Sequence, residues 1–256
     1  MAVMPLGSGM RRAADDHWLA GVDGCRAGWV VAFVRASDSE VRLRIVPRFA
    51  DLLAAPEAPH VVAVDMPIGL PERAGPGGRA AENAVRPLLG ARQSSVFSVP
   101  SRAALAAEDY ADACRIAFAS SEPPRKVSKQ LFMLAPKIRE VDALLRDYAA
   151  LAGRVFEVHP EVAFWRLNGE RALHEPKKVK GRCYEPGLVL RRSLLVAVGV
   201  AEEAVNGAPP KGAGADDLLD AFACLAIARR IHAGLARPFP DPPARDAFGL
   251  PMAIWA

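Results

Sequence analysis

The sequence predicts an α/β fold, a five-stranded sheet flanked by helices with a helical insertion between the fourth and fifth strands. Three observations carry that expectation. Apolar runs of strand length, bounded by turn residues, lie at 19–23, 29–34, 41–46, 61–65 and 154–158. Between the last two runs the chain is rich in alanine and arginine and lacks a strand pattern. A nearly all-apolar helix follows at 216–232.

Residues 1–16 carry Arg11 and Arg12 but no apolar core of a secretory signal, and read as a flexible tail. Residues 17–256 then form one domain, a length that a single α/β domain with an insertion can reach. The first strand ends at Asp23, and the turn 24–28, with a glycine at each end, returns the chain as a hairpin through Trp29 to Val34. Val41-Arg42-Leu43-Arg44-Ile45-Val46 alternates apolar and basic residues, as a half-exposed third strand should. A short helix follows at 49–54. The fourth strand, 61–65, is rich in β-branched residues, like a strand covered on both faces, and Pro67, Gly69 and Pro71 force a loop after it.

The insertion spans about 71–153. Its helices are expected at 103–119 and 130–152, the second with Leu131, Leu134, Ile138, Val141, Leu144 and Leu145 at helical spacing. Pro136 either kinks that helix or starts its main part. After the fifth strand, 166–192 reads as a basic loop that becomes helical towards Val198. A Pro- and Gly-rich linker at 209–214 releases the last helix, whose end is marked by Arg229, Arg230, His232 and then Gly234. The proline-rich tail is expected to wrap the surface.

A hydrophobic fraction of 51% with 24% charged residues belongs to an ordinary globular protein, and no apolar run is long enough to span a bilayer. Cys25, Cys114, Cys183 and Cys224 form no CxxC pair, which argues against a zinc site of the usual spacing and against a disulfide framework. A reduced, cytoplasmic setting is expected. The net charge of +4 permits an anionic substrate without demanding one.

Four acids each interrupt an apolar stretch: Asp23, Asp65, Glu157 and Asp220. Removing an unpaired carboxylate from water costs several kcal/mol, so four such positions suggest a shared partner, most simply a divalent cation. Asp217 precedes Asp220 by three residues and shares its helical face. Blander roles compete. Asp216 or Asp217 can cap the helix, Asp23 and Asp65 can end strands in turns, and Glu157 can pair with an arginine of the insertion. Asp220 lies too deep to cap, so its bland role is a core hydrogen bond.

The segments GVDGCRAGWVVA, AVDMPIGLPE, GARQSSVFSVPSR, PKIREVD, FEVHPEVAFWRLNG and ADDLLDAFACLAIA together resemble the domain-of-unknown-function 429 family, generally placed among predicted nucleases of the ribonuclease H-like superfamily. The resemblance implies a mixed sheet with acids on its first strand, its fourth strand and its closing helix. It implies a catalytic set of Asp23, Asp65, Asp217 and Asp220 holding Mg²⁺ or Mn²⁺; Glu157, by its place among apolar neighbours on the fifth strand, is a further candidate metal ligand. Two ions about 4 Å apart are expected, one to activate water and one to stabilise the leaving oxygen. The segment around Asp217 and Asp220 is similar to the closing-helix motif of Holliday junction resolvases.

Nucleic acid, DNA or RNA, is the expected partner, with no membrane association; a homodimer is admissible. Arg92, Ser94, Ser95 and Arg102 suit phosphate contacts. Lys178, Lys180 and Arg182 belong to the densest positive run, which also holds Lys177 and continues to Arg191 and Arg192. Phe164, Trp165 and Tyr184 can stack bases, although Phe164-Trp165 also reads as core. His159 and Glu161 stand near enough in sequence to assist proton transfer but are left outside the catalytic set. Two alternatives remain: a non-catalytic nucleic-acid- or protein-binding module on the same fold, and an actin- or sugar-kinase-like phosphotransferase.

Overall fold

The computed structural model describes residues 17–256; the expected tail at 1–16 lies outside the described residues. A five-stranded mixed sheet forms the centre. Its strands are β1 (Trp18–Cys25), β2 (Gly28–Arg35), β3 (Arg42–Val46), β4 (Val61–Val64) and β5 (Val155–Glu157), in the order β3-β2-β1-β4-β5. β2 runs antiparallel to β1 and β3, whereas β1, β4 and β5 are parallel. The helix α1 (Phe49–Leu53) links β3 to β4.

Strand alternation divides the interior into two cores. Leu19, Val30, Ala32, Val34, Val61 and Ala63 face one side; Ala20, Val22, Val31, Phe33, Val62 and Val64 face the other. Between β4 and β5 come α2 (Ala80–Val85), a 3₁₀ stretch (Arg86–Ser95), α3 (Arg102–Ala106), α4 (Tyr110–Ala119) and α5 (Lys129–Asp147). α3, α4 and α5 supply Leu105, Ala117 and Ile138 to the second core. The single helix expected at 103–119 is two, because Asp109 caps α4 by accepting the Asp112 N–H at 2.9 Å. Pro136 sits inside a continuous α5.

The first core is closed by α6 (Pro160–Leu167), α7 (Glu185–Ala197) and α9 (Ala215–His232). A small hairpin, β6 (Lys178–Val179) and β7 (Arg182–Cys183), precedes α7, and α8 (Glu202–Asn206) precedes α9. Residues Leu218–Ala228 of α9 are buried all round, as expected of a helix between the sheet and other helices. The tail does not simply wrap the surface. It forms the hairpin β8 (Pro238–Arg245) and β9 (Pro251–Trp255), burying Leu250, Ala253, Ile254 and Ala256. Five prolines within these two strands hid that pattern from a strand reading.

Gly21 sets the distance between α9 and β1. A Cβ there would lie 2.1 Å from the Leu225 nitrogen and 2.2 Å from the Ala221 carbonyl oxygen, both backbone atoms that cannot step aside. Gly21→Ala is therefore expected to cost at least about 2 kcal/mol through overpacking, read as a lower urea midpoint. A loss below about 0.5 kcal/mol, the range of ordinary surface substitutions, would show that the helix is free to shift.

Candidate metal centre

Register and alternation bring two acids together at the carboxyl ends of parallel strands. Val22 pairs with Val64, and the Asp65 N–H continues the ladder by donating to the Val22 carbonyl at 3.0 Å. Asp23 and Asp65 keep the parity of Leu19 and Val61, residues of the core that α9 closes. α9 then brings Asp220 against them, one residue before the Ala221 that Gly21 admits. Carboxylate oxygens of Asp23, Asp65 and Asp220 lie within 4.8 Å of one another.

This cluster is strongly desolvated: Asp23 is 8% exposed and Asp220 2%. Burial pushes the Asp23 carboxyl well above its ordinary range, with Asp65 and Asp220 adding repulsion. Burial also raises Asp65 and Asp220 to about 6 each, although Lys177 pulls both back. The Lys177 ammonium is ion-paired to Asp220 Oδ2. Burial disfavours its charge, but Asp220 and Asp23 outweigh that and raise its pKa. The other oxygen, Asp220 Oδ1, is buried without a hydrogen-bond partner. Close carboxylates and an orphaned oxygen make a hard, anionic donor set of the kind that suits Mg²⁺ or Mn²⁺.

The group opens into a cavity of about 350 Å³, lined also by Ser95, His159, Glu161 and Lys178. His159 caps α6 ahead of Pro160. Its Nε2 lies 3.3 Å from the Ser95 carbonyl oxygen, and burial lowers its pKa. Its Nδ1 and Glu161 Oε2 are buried without partners. Glu161 Oε1 accepts from Arg191 at 2.5 Å, and the fully buried Arg191 also donates to the Glu175 and Gly187 carbonyls. Gly187 lets the Pro176 carbonyl oxygen approach so closely that a Cβ would sit 1.9 Å from it. These contacts fix the two residues before Lys177, and the Tyr184 N–H holds the Lys177 carbonyl at 2.9 Å.

A family model described as a protein of unknown function, DUF429, matches residues 21–245. The chain belongs to the DUF429 family. No curated protein and no solved structure matches it significantly.

Other residues singled out in this DUF429 sequence take different places. Asp217 lines the cavity, but its Oδ2 accepts the Gly214 N–H at 2.8 Å and it stands outside the group of three. Asp216 pairs with Lys178 at 2.5 Å. Glu157, expected as a candidate ligand, also lines the cavity but stands outside the group of three. It pairs in register with Val64, not Asp65, so its side chain leaves the opposite face of the sheet. There Arg79 holds it at 2.5 and 3.0 Å, and the Ile68 N–H donates to it at 2.8 Å.

Of the expected phosphate contacts, Ser94, Ser95 and Lys178 line the cavity, and Arg92 does not. Arg102 is ion-paired to Asp142 and Asp246, so it braces the fold away from the site. Lys180 and Arg182 lie on the exposed β6–β7 hairpin outside the cavity lining. Phe164 and Trp165 are core. Sequence reasoning missed Lys177 as the cation of the centre, because nothing in PKKVK separates it from its neighbours.

Removing Lys177 has a pH signature. Carboxyls whose folded pKa is raised contribute stability that is complete below about pH 4 and lost as the pH rises through about 6. A shift from 3.8 to about 6 corresponds to roughly 3 kcal/mol for one such group taken alone. Without its counter-ion the loss deepens. In EDTA, Lys177→Met should unfold at lower urea than wild type at pH 7.5 and match or exceed it at pH 4. A constant difference across that range would remove Lys177 from the electrostatic balance.

Proposed function

We propose that this protein is a divalent-metal-dependent nuclease that hydrolyses phosphodiester bonds in nucleic acid, built on a ribonuclease H-like fold. The observation carrying this reading is the meeting of Asp23, Asp65 and Asp220 from two parallel strand ends and one buried helix, with oxygens within 4.8 Å. The strand order β3-β2-β1-β4-β5 with only β2 antiparallel supports the fold assignment, and α2 to α5 are then the helical insertion. Asp23, Asp65 and Asp220 would hold a divalent ion, which would supply Lewis-acid activation of water and neutralise charge on the leaving oxygen.

The chain's own residues have separate tasks. Asp23 and Asp65 present oxygens from a rigid sheet edge, and Asp220 Oδ1 completes the donor set with an atom that has no other partner. Lys177 balances the carboxylates through Asp220 and, as a cation lining the cavity, is placed to meet a substrate phosphate. His159, neutral and with Nδ1 free of partners, is placed to accept a proton within the cavity.

The Lys177–Asp220 ion pair also favours a second reading, a metal-free binding module in which the ammonium is the permanent counter-ion. Cleavage separates the two. Labelled single-stranded DNA and RNA with Mg²⁺ or Mn²⁺ should be cut by wild type, and cutting should fall to background in EDTA and in folded Asp65→Asn and Asp220→Asn. An Asp220→Asn variant cutting at the wild-type rate would remove the carboxylates from the chemistry. A wild type that neither cuts nor binds Mn²⁺ would favour the module.

A further inference from the structure

A second cavity of about 270 Å³ lies beside the metal centre and shares Val96, Phe97 and Val99 with it as a common wall. Phe97 is half-buried, held against the second core, and borders both spaces. α5 follows the same course: its Leu131 lines the first cavity, and Val127 and Ser128 just before it line the second. The two cavities are thus consecutive along one wall.

The second one is basic where it opens. Arg125 and Lys126 line it and are exposed, and among the described residues neither makes an ion pair. Arg86 reaches the same place by donating to Ser98 Oγ at 3.0 Å, a residue of the cavity lining. Burial weakens the Arg86 hold on its proton; Glu82 works against that, and the nearby Arg125 charge adds to it. Arg86, although partly balanced by Glu82, adds to the positive charge of Arg125 and Lys126, and an anion at this opening would relieve it.

We propose that this cavity is a subsite for the neighbouring nucleotide of a single-stranded nucleic acid, with Arg125 and Lys126 contacting its phosphate and Phe97 offering a face to a base. This rests on the nucleic-acid reading of the carboxylate centre. A single strand fits better than a duplex, because stacking on a side chain in the wall between two cavities needs an unpaired base. The subsite predicts a minimum substrate longer than one nucleotide.

Fluorescence anisotropy of labelled thymidylates one to six nucleotides long tests it, with Ca²⁺ replacing Mg²⁺. Wild-type affinity should rise by tenfold or more between one nucleotide and three. In the double variant Arg125→Ala/Lys126→Ala that rise should disappear and the salt dependence should flatten by about one unit of log–log slope, with mononucleotide affinity unchanged. A double variant that keeps both the rise and the slope overturns the subsite and leaves the carboxylate centre standing, since Mn²⁺ binding probes that independently. A wild type that binds no thymidylate of any length overturns the subsite and the nucleic-acid reading together.

Discussion

Three carboxylates within 4.8 Å of one another, Asp23 and Asp220 buried and Asp65 half-buried, are the constraint on which the centre depends. If all were ionised, each pair would repel by roughly 3 kcal/mol or more at an effective dielectric near 20. A domain's net stability is only about 5–15 kcal/mol, so the arrangement persists only with compensation. Lys177 provides part of it through Asp220, and partial protonation provides more, as the raised pKa values of Asp65 and Asp220 indicate. Both are incomplete, because Asp220 Oδ1 still lacks a partner. A divalent cation would relieve the repulsion more fully than one ammonium.

The backbone is arranged to hold this repulsion in place. Gly21 allows α9 to lie on β1 at a distance no side chain would permit, and that approach delivers Asp220. On the other side of the cavity, Gly187 and Arg191 clamp the segment ahead of Lys177. Arg79 holds Glu157 and Glu82 on a separate network, so these acids add no charge to the group of three. Rigid elements thus carry the acids, and a clamped loop next to an exposed hairpin carries the cation that balances them.

Much of this was legible in the chain, for identifiable reasons. Apolar runs of strand length mark β1, β2 and β4, and the acids stand out because each breaks an apolar stretch. Parity decided what could not be read. Glu157 breaks an apolar run as clearly as Asp65 does, but its register with Val64 sends it to the other face, and register is a tertiary property. Its partner Arg79 was one of 33 basic residues, with nothing local to single it out. α6 was overlooked because Pro160 follows the strand directly and reads as a breaker, whereas proline is well placed at the first helical position. The final hairpin was hidden by its prolines, and the centre's cation by its position in a run of lysines.

Crystals soaked in Mn²⁺ at pH 7.5 and measured at the manganese edge would test the central claim most directly. The account predicts an anomalous peak bounded by oxygens of Asp23, Asp65 and Asp220, with the Lys177 ammonium moved away from Asp220. No peak at these carboxylates, with Lys177 still paired to Asp220 at saturating Mn²⁺, would contradict it.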